Sequence, residues 1–283
     1  MRILFVVTLI TFCAALAGIG APVALAKAGS AAPPAKAGHA AVRATDPGAV
    51  ASAKRALYEA SGSGTIEQLV AARARFERLS AAEPKSALLH YWVAVADWRL
   101  TPRLMKDKTK AEPYCKDGLA HLEQALRLDP KLADALALKA GLQGLSITFD
   151  PPSAMSLGPQ MEEEFRRAHA LAPQNPRVYL LEGLNTLNKP AFVGGGAGMA
   201  LPVFQKAQDM FAKESVADST APDWGRDDAY LWAGRAATKL KDWPRALELY
   251  KKALEANPTN AWVKQQLIPE AEKAIADGGK GKS

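Results

Sequence analysis

The groups that could do chemistry in this chain are few and widely separated. Gly194-Gly195-Gly196-Ala197-Gly198 runs toward a helix at about Met199, and a glycine-rich turn before a helix can cradle phosphate with its free backbone amides. No Lys-Ser or Lys-Thr follows it and no strand precedes it, so it matches neither a P-loop nor a dinucleotide fingerprint. It reads as a tight connector between two helices. His39, His90, His121 and His169 form no His-x-x-x-His or Cys-x-x-His pair, and Cys115 and His121 are six apart, off any shared helical face. No metal centre is expected. Glu162-Glu163-Glu164 follow Gly158-Pro159, where acids in a first helical turn complement the helix dipole. Gly-x-Ser-x-Gly does not occur. These readings predict no enzyme, no catalytic residues and no cofactor.

Aromatic residues carry more information. Trp92, Trp98, Trp224, Trp232, Trp243 and Trp262 are many for so alanine-rich a chain. Sparse β-branched and aromatic residues elsewhere favour helix over sheet. Apolar residues make up 48% and charged residues 23% of the 283, which suits a packed core of one large or two ordinary domains.

The elements that must position these side chains repeat. A small or apolar residue is followed by an aromatic or leucine four later and an apolar residue three after that; five further on there is usually a proline. The instances are Ala72-Phe76-Leu79-Pro84, Gly118-Leu122-Ala125-Pro130, Met161-Phe165-Ala168-Pro173, Ala200-Phe204-Ala207-Ala212 and Ala246-Tyr250-Ala253-Pro258. Spacings of four and three fall on one helical face. The small residue lets a partner helix approach, the aromatic fills the gap, and the proline ends the helix. Ala94, Ala140, Gly183 and Gly234 are in register as the small residue of a preceding helix.

On these residues the chain resembles the tetratricopeptide repeat (TPR) family. The closest stretch is Asp228 to Pro258, where Gly234, Ala246, Tyr250, Ala253 and Pro258 stand at the family's Gly, Ala, aromatic, Ala and Pro positions. The segment around Lys189–Leu201 with Pro222-Asp-Trp-Gly225 looks like exported bacterial TPR proteins of unassigned role. The marker positions 84, 130, 173, 212 and 258 lie 46, 43, 39 and 46 apart, against a family period of about 34. The excess falls in Leu100–Pro113, Ser146–Pro159, Asn188–Gly198 and Lys213–Arg226, expected as loops. The resemblance implies an all-α fold, a right-handed α-solenoid of about four to five TPR-like helix pairs with long inter-helix inserts, closed by a last helix near Ala261–Ala276. It also implies that the first helix of each pair lines the inner wall. The candidate groove residues are then Tyr91, Trp92, Trp98, Arg177, Asn185, Asp228 and Arg235. Trp92 and Trp98 are six apart and diverge by roughly 120° on a helix, so one is expected inside and the other in the groove or against the Pro102–Pro113 insert.

The ends complete the division. Arg2, the apolar run Ile3–Ala17, the break Gly18–Pro22 and Ala24-Leu25-Ala26 have the order of a secretory signal peptide, residues 1–26. A flexible Ala/Pro/Lys linker is expected at 27–45, the solenoid at 46–276 and a disordered tail at 277–283. Loss of Arg2 takes the net charge from +7 to +6. No further stretch would span a membrane, and no basic run carries interleaved aromatics, so nucleic acid is not expected. Cys115 would be alone and stability would come from packing. The expectation is a bacterial periplasmic or secreted adaptor that binds a protein or peptide partner through its groove or inserts. The alternative is a periplasmic carrier of a small apolar ligand, or an accessory protein of a transport system.

Overall fold

The computed structural model describes residues 46–280. The expected signal peptide (1–26) and linker (27–45) lie outside the described residues, as do 281–283 of the expected tail. The described part is all helix, with no strand: α1 (Pro47–Gly62), α2 (Ile66–Ala82), α3 (Ala87–Leu104), α4 (Lys108–Leu128), α5 (Ala133–Ser146), α6 (Ala154–Leu171), α7 (Pro176–Asn188), α8 (Ala197–Lys213), α9 (Arg226–Lys239), α10 (Trp243–Ala256) and α11 (Ile268–Lys280). They pack as five consecutive pairs, α1 with α2 through α9 with α10, and α11 covers the last pair. This is an α-solenoid.

Local chemistry sets the boundaries. Helix starts carry side-chain caps from Asp46, Thr65, Ser86, Asp107, Asn175 and Asp242, and Thr65 with Gln68 completes a reciprocal capping box. Pro84, Pro130, Pro173 and Pro258 each stand two residues past the end of α2, α4, α6 or α10. A short turn then starts the next helix, closed by Ser86, Leu132, Asn175 and Asn260 each donating an amide to the carbonyl three residues back. Only α8 lacks that proline, and twelve residues separate it from α9 instead of four.

Pair interfaces follow the small-aromatic register. A Cβ on Gly183 would meet the Phe204 ring at 2.7 Å, and one on Gly234 would meet Tyr250 at 2.5 Å. Ala253 is fully buried. Burial of Phe76, Leu122, Phe204 and Tyr250 contributes about 1.5–3 kcal/mol each.

Three boundaries differ from expectation. The Leu100–Pro113 insert is mostly helix: α3 runs through Pro102 to Leu104, and α4 starts at Lys108, inside the expected loop. Much of Ser146–Pro159 is likewise a 3-10 turn, Pro151–Ser153, leading into α6. Glu162-Glu163-Glu164 therefore lie mid-helix, where they bind Lys189, Arg166 and Lys139 instead of capping a first turn. At the other end, a π turn over Val263–Leu267 precedes Pro269, which has no amide to give. From there α11 continues past Ala276 to Lys280, inside the expected tail.

Candidate functional site

The first helices of the pairs form the inner wall, and a segment of the chain itself lies on it. This strap, residues 214–225, is the long connection from α8 to α9. Lys54 of α1 donates to the carbonyls of Ser219 and Ala221, both at 2.8 Å, and its ammonium stands 3.0 Å from the Asp223 carboxylate. The Trp92 indole of α3 donates to the Thr220 carbonyl at 2.9 Å. Tyr58 bonds the Asp223 carboxylate, and burial followed by that bond holds its hydroxyl far above the usual range, so it stays protonated. These groups read the carbonyls of a turn, closed by the Ala221 amide donating to the Asp218 carbonyl, and one acid.

Trp224 is the anchor. Its indole donates to the Tyr91 hydroxyl at 2.9 Å and its ring lies 5.1 Å from that of Trp98. Arg99 stacks on both tryptophans and makes a two-point ion pair with Asp228 of α9, at 2.9 and 2.5 Å. Arg177 of α7 donates to the Trp224 carbonyl at 3.3 Å and to Asp134 of α5 at 2.6 Å, and it also pairs with Glu214 at the strap's start. Gly225 then turns into α9 with φ +105°; a Cβ there would strike Leu180 and Phe211 at 2.9 Å, so only glycine fits.

Five of the seven candidate groove residues are thus brought together, but under the strap. Tyr91, Trp92, Trp98, Arg177 and Asp228 are all buried. This corrects the expectation that one of Trp92 and Trp98 is packed inside and the other faces the groove or the Pro102–Pro113 insert: Trp92 is 0% and Trp98 8% exposed, and Trp98 packs on Trp224. Asn185 is half-buried and faces Gly144 of α5. Only Arg235 lies on wall beyond the strap. Asp228, Trp232 and Arg235 share one helical face, and past Asp228 that face meets Trp262, which precedes the π turn. The Trp232 and Trp262 rings are 6.2 Å apart, edge to face, and the Arg235 guanidinium sits 5.6 Å above Trp262. Trp262 is 39% exposed.

Lys54, Tyr58, Arg99 and Asp134 were not singled out in the sequence. One signal existed for Asp134: it, Arg177 and Asp228 each stand six residues before the small residue of their helix, at 140, 183 and 234. They occupy one repeat position with opposite charges. The structure also joins His90 to His121, Nδ1 to Nδ1 at 2.9 Å. Burial, then His90 and Arg73, push His121 down to about 4. No group of three metal-ligating side chains occurs among the described residues. Two outer depressions are open and lined with charge, one of about 380 Å³ by Arg127, Lys139, Glu164 and Arg167 between α4 and α6, the other by Arg245, Glu248 and Lys252 between α8 and α10.

Residues 227–260, which are α9, α10 and the turn after them, match the tetratricopeptide repeat family profile. The last helix pair, α9 with α10, is thus a tetratricopeptide repeat. Among solved structures, the chain is similar to the HusA haemophore from Porphyromonas gingivalis at 22% identity and a TM-score of 0.55, over 68% of this chain and 90% of that one. It is also matched by YrrB, a TPR protein with an unusual peptide-binding site, at 16% identity and a TM-score of 0.35, over 74% of this chain and 85% of that one. The likeness to the haemophore is one of fold alone. No curated protein matches the chain. The matched repeat is the one that carries Trp232 and Arg235 and ends just before Trp262.

Proposed function

We propose that the protein is an exported, non-enzymatic scaffold. It holds a protein or peptide partner at the open end of its inner wall, where Trp232, Arg235 and Trp262 meet. One observation carries the reading: past the strap, the inner face of the family-matching repeat ends in a partly exposed Trp-Arg-Trp cluster. Arg235 has no ion-pair partner among the described residues. Tryptophan and arginine are the residues that most often dominate binding energy when a partner excludes water from them. The remaining aromatics of the wall already have an occupant.

Export, to a bacterial periplasm or beyond, is supported by Arg2, the apolar run and Ala24-Leu25-Ala26; a mature chain beginning near Lys27 on N-terminal sequencing checks it. The binding test uses the immobilised chain, a periplasmic extract and the captured partner repurified. Trp262→Ala and Arg235→Ala should weaken that partner's affinity by about 2 kcal/mol, roughly thirtyfold, without changing the melting temperature. Unchanged affinity in both variants would remove the cluster from the function. HusA, as a haemophore, makes haem the natural probe of the carrier alternative. A one-to-one absorbance change on haem titration that survives Trp262→Ala would move the function to that class.

A further inference from the structure

The most exposed large apolar side chains of the described residues are Phe192 at 89% and Met155 at 87%. Phe192 stands on the turn that joins α7 to α8, and Met155 in the first turn of α6, just past the turn from α5, so both lie where the first helix of a pair passes to its second, on the same rim of the solenoid. Phe192 sits at the tip of Pro190–Gly198, a stretch without one charge. Met155 follows Pro151-Pro152-Ser153-Ala154, also uncharged.

The Phe192 turn is built, not loose. Val193 and Gly195 donate their amides to the Pro190 carbonyl, Gly194 to Ala191, and Gly196 to Thr186. Gly194 and Gly196 take φ of +84° and +106°, and a Cβ on Gly195 would overlap the Lys189 carbonyl. The glycines thus fold the tip so that the amides of Val193 to Gly196 are satisfied internally. Internal pairing of that kind lowers the cost of bringing backbone toward an apolar medium. Cations flank the tips. Lys106 on the neighbouring α3–α4 turn and Lys108 and Lys110 at the start of α4 are exposed, with Lys108 tied to the Thr148 carbonyl at 2.7 Å and Lys110 3.4 Å from Asp107. Lys189 precedes the tip and binds Glu162 of α6 at 2.7 Å.

We propose that this rim docks on an anionic lipid surface, with Phe192 and Met155 entering the boundary between headgroups and acyl chains and the lysines facing the headgroups. Separate apolar tips suit lipid better than a protein, whose interface needs a contiguous face of roughly 800 Å². An amphipathic surface of this kind adds apolar burial to electrostatic attraction for anionic headgroups. Neither the strap nor the Trp262 cluster takes part.

The test is co-sedimentation of the exported form of the chain with vesicles of phosphatidylcholine alone and of phosphatidylcholine with phosphatidylglycerol. The expected result is binding to the mixed vesicles, reduced by salt. Phe192→Ser and Met155→Ser should each lower the bound fraction, and together the partition coefficient should fall at least tenfold. Both side chains are exposed, so helical content and melting temperature should not move. Protein that stays in the supernatant with mixed vesicles overturns the proposal. So does a double variant that binds as the wild type does, which would place any lipid contact elsewhere.

Discussion

Replacing Trp224 with alanine tests whether the strap is truly seated on the inner wall. The ring is 4% exposed, packed on Trp98 and Arg99, and its N–H satisfies the buried Tyr91 hydroxyl. Truncating a buried tryptophan costs about 3–5 kcal/mol. An orphaned Tyr91 hydroxyl puts the value toward the upper half of that range. At about 2–4 °C per kcal/mol for a body of this size, the melting temperature should fall by roughly 10–15 °C. Trp224→Phe keeps most of the packing and loses only the donor, so about 1–2 kcal/mol is expected. Val216→Ala, on the exposed stretch of the strap, should be close to neutral. Urea denaturation followed by helical circular dichroism measures all three. If Trp224→Ala lies within about 1 kcal/mol of the wild type, the strap does not hold Trp224 in the wall. The account of the buried groove residues then fails.

Two further outcomes follow from the packing and the charges. Gly234→Ala puts a methyl 2.5 Å from the Tyr250 ring, so it should destabilise by about 1–3 kcal/mol, although alanine gains up to about 1 kcal/mol in helix propensity; a raised melting temperature would place Gly234 off the contact. Asp97 is fully buried, and that burial outweighs Arg73, which also serves Glu77 and Asp117, and lifts the carboxyl to about 7. A folded value above the unfolded one, ordinarily near 4, means its stabilising share is complete below pH ~4 and is lost as pH rises through about 7. Relative to Asp97→Asn, wild-type stability should fall across that window by at most about 1.4 kcal/mol per pH unit, and parallel pH curves would refute the assignment.

Sequence spacing revealed the repeat because the repeat is local. The small-aromatic-small pattern runs along single helices, and it located α2, α4, α6, α8 and α10 together with Gly183 and Gly234 opposite Phe204 and Tyr250. Boundaries were harder for a physical reason. Pro102, Pro113 and Pro159 read as breaks, yet each sits inside a helix. At Pro113 the missing amide bond is offset by packing of Ala111, Tyr114 and Cys115 against α3 and α5. Burial of one face overrides a local preference.

The wall's occupant was not legible in the same way, since the contacts that seat it join residues 37 to 167 positions apart. Two local marks remained: the fourth pair lacks its terminal proline, and Asp134, Arg177 and Asp228 share one repeat position. Composition by itself misleads here. Tyr91, Trp92, Trp98 and Arg177 have the residue types of a binding hot spot, and they bind the chain's own Thr220 to Trp224. A partner entering the wall at that place must first expel Trp224, at the ~4 kcal/mol its seat contributes. That cost lowers apparent affinity about a thousandfold; an intrinsic micromolar ligand would behave as a millimolar one. At Trp262 no segment of the described residues has to leave, so equal contacts made there yield the full affinity. This is why the proposed partner site is put at the open end of the wall, even though the strapped region is richer in aromatics.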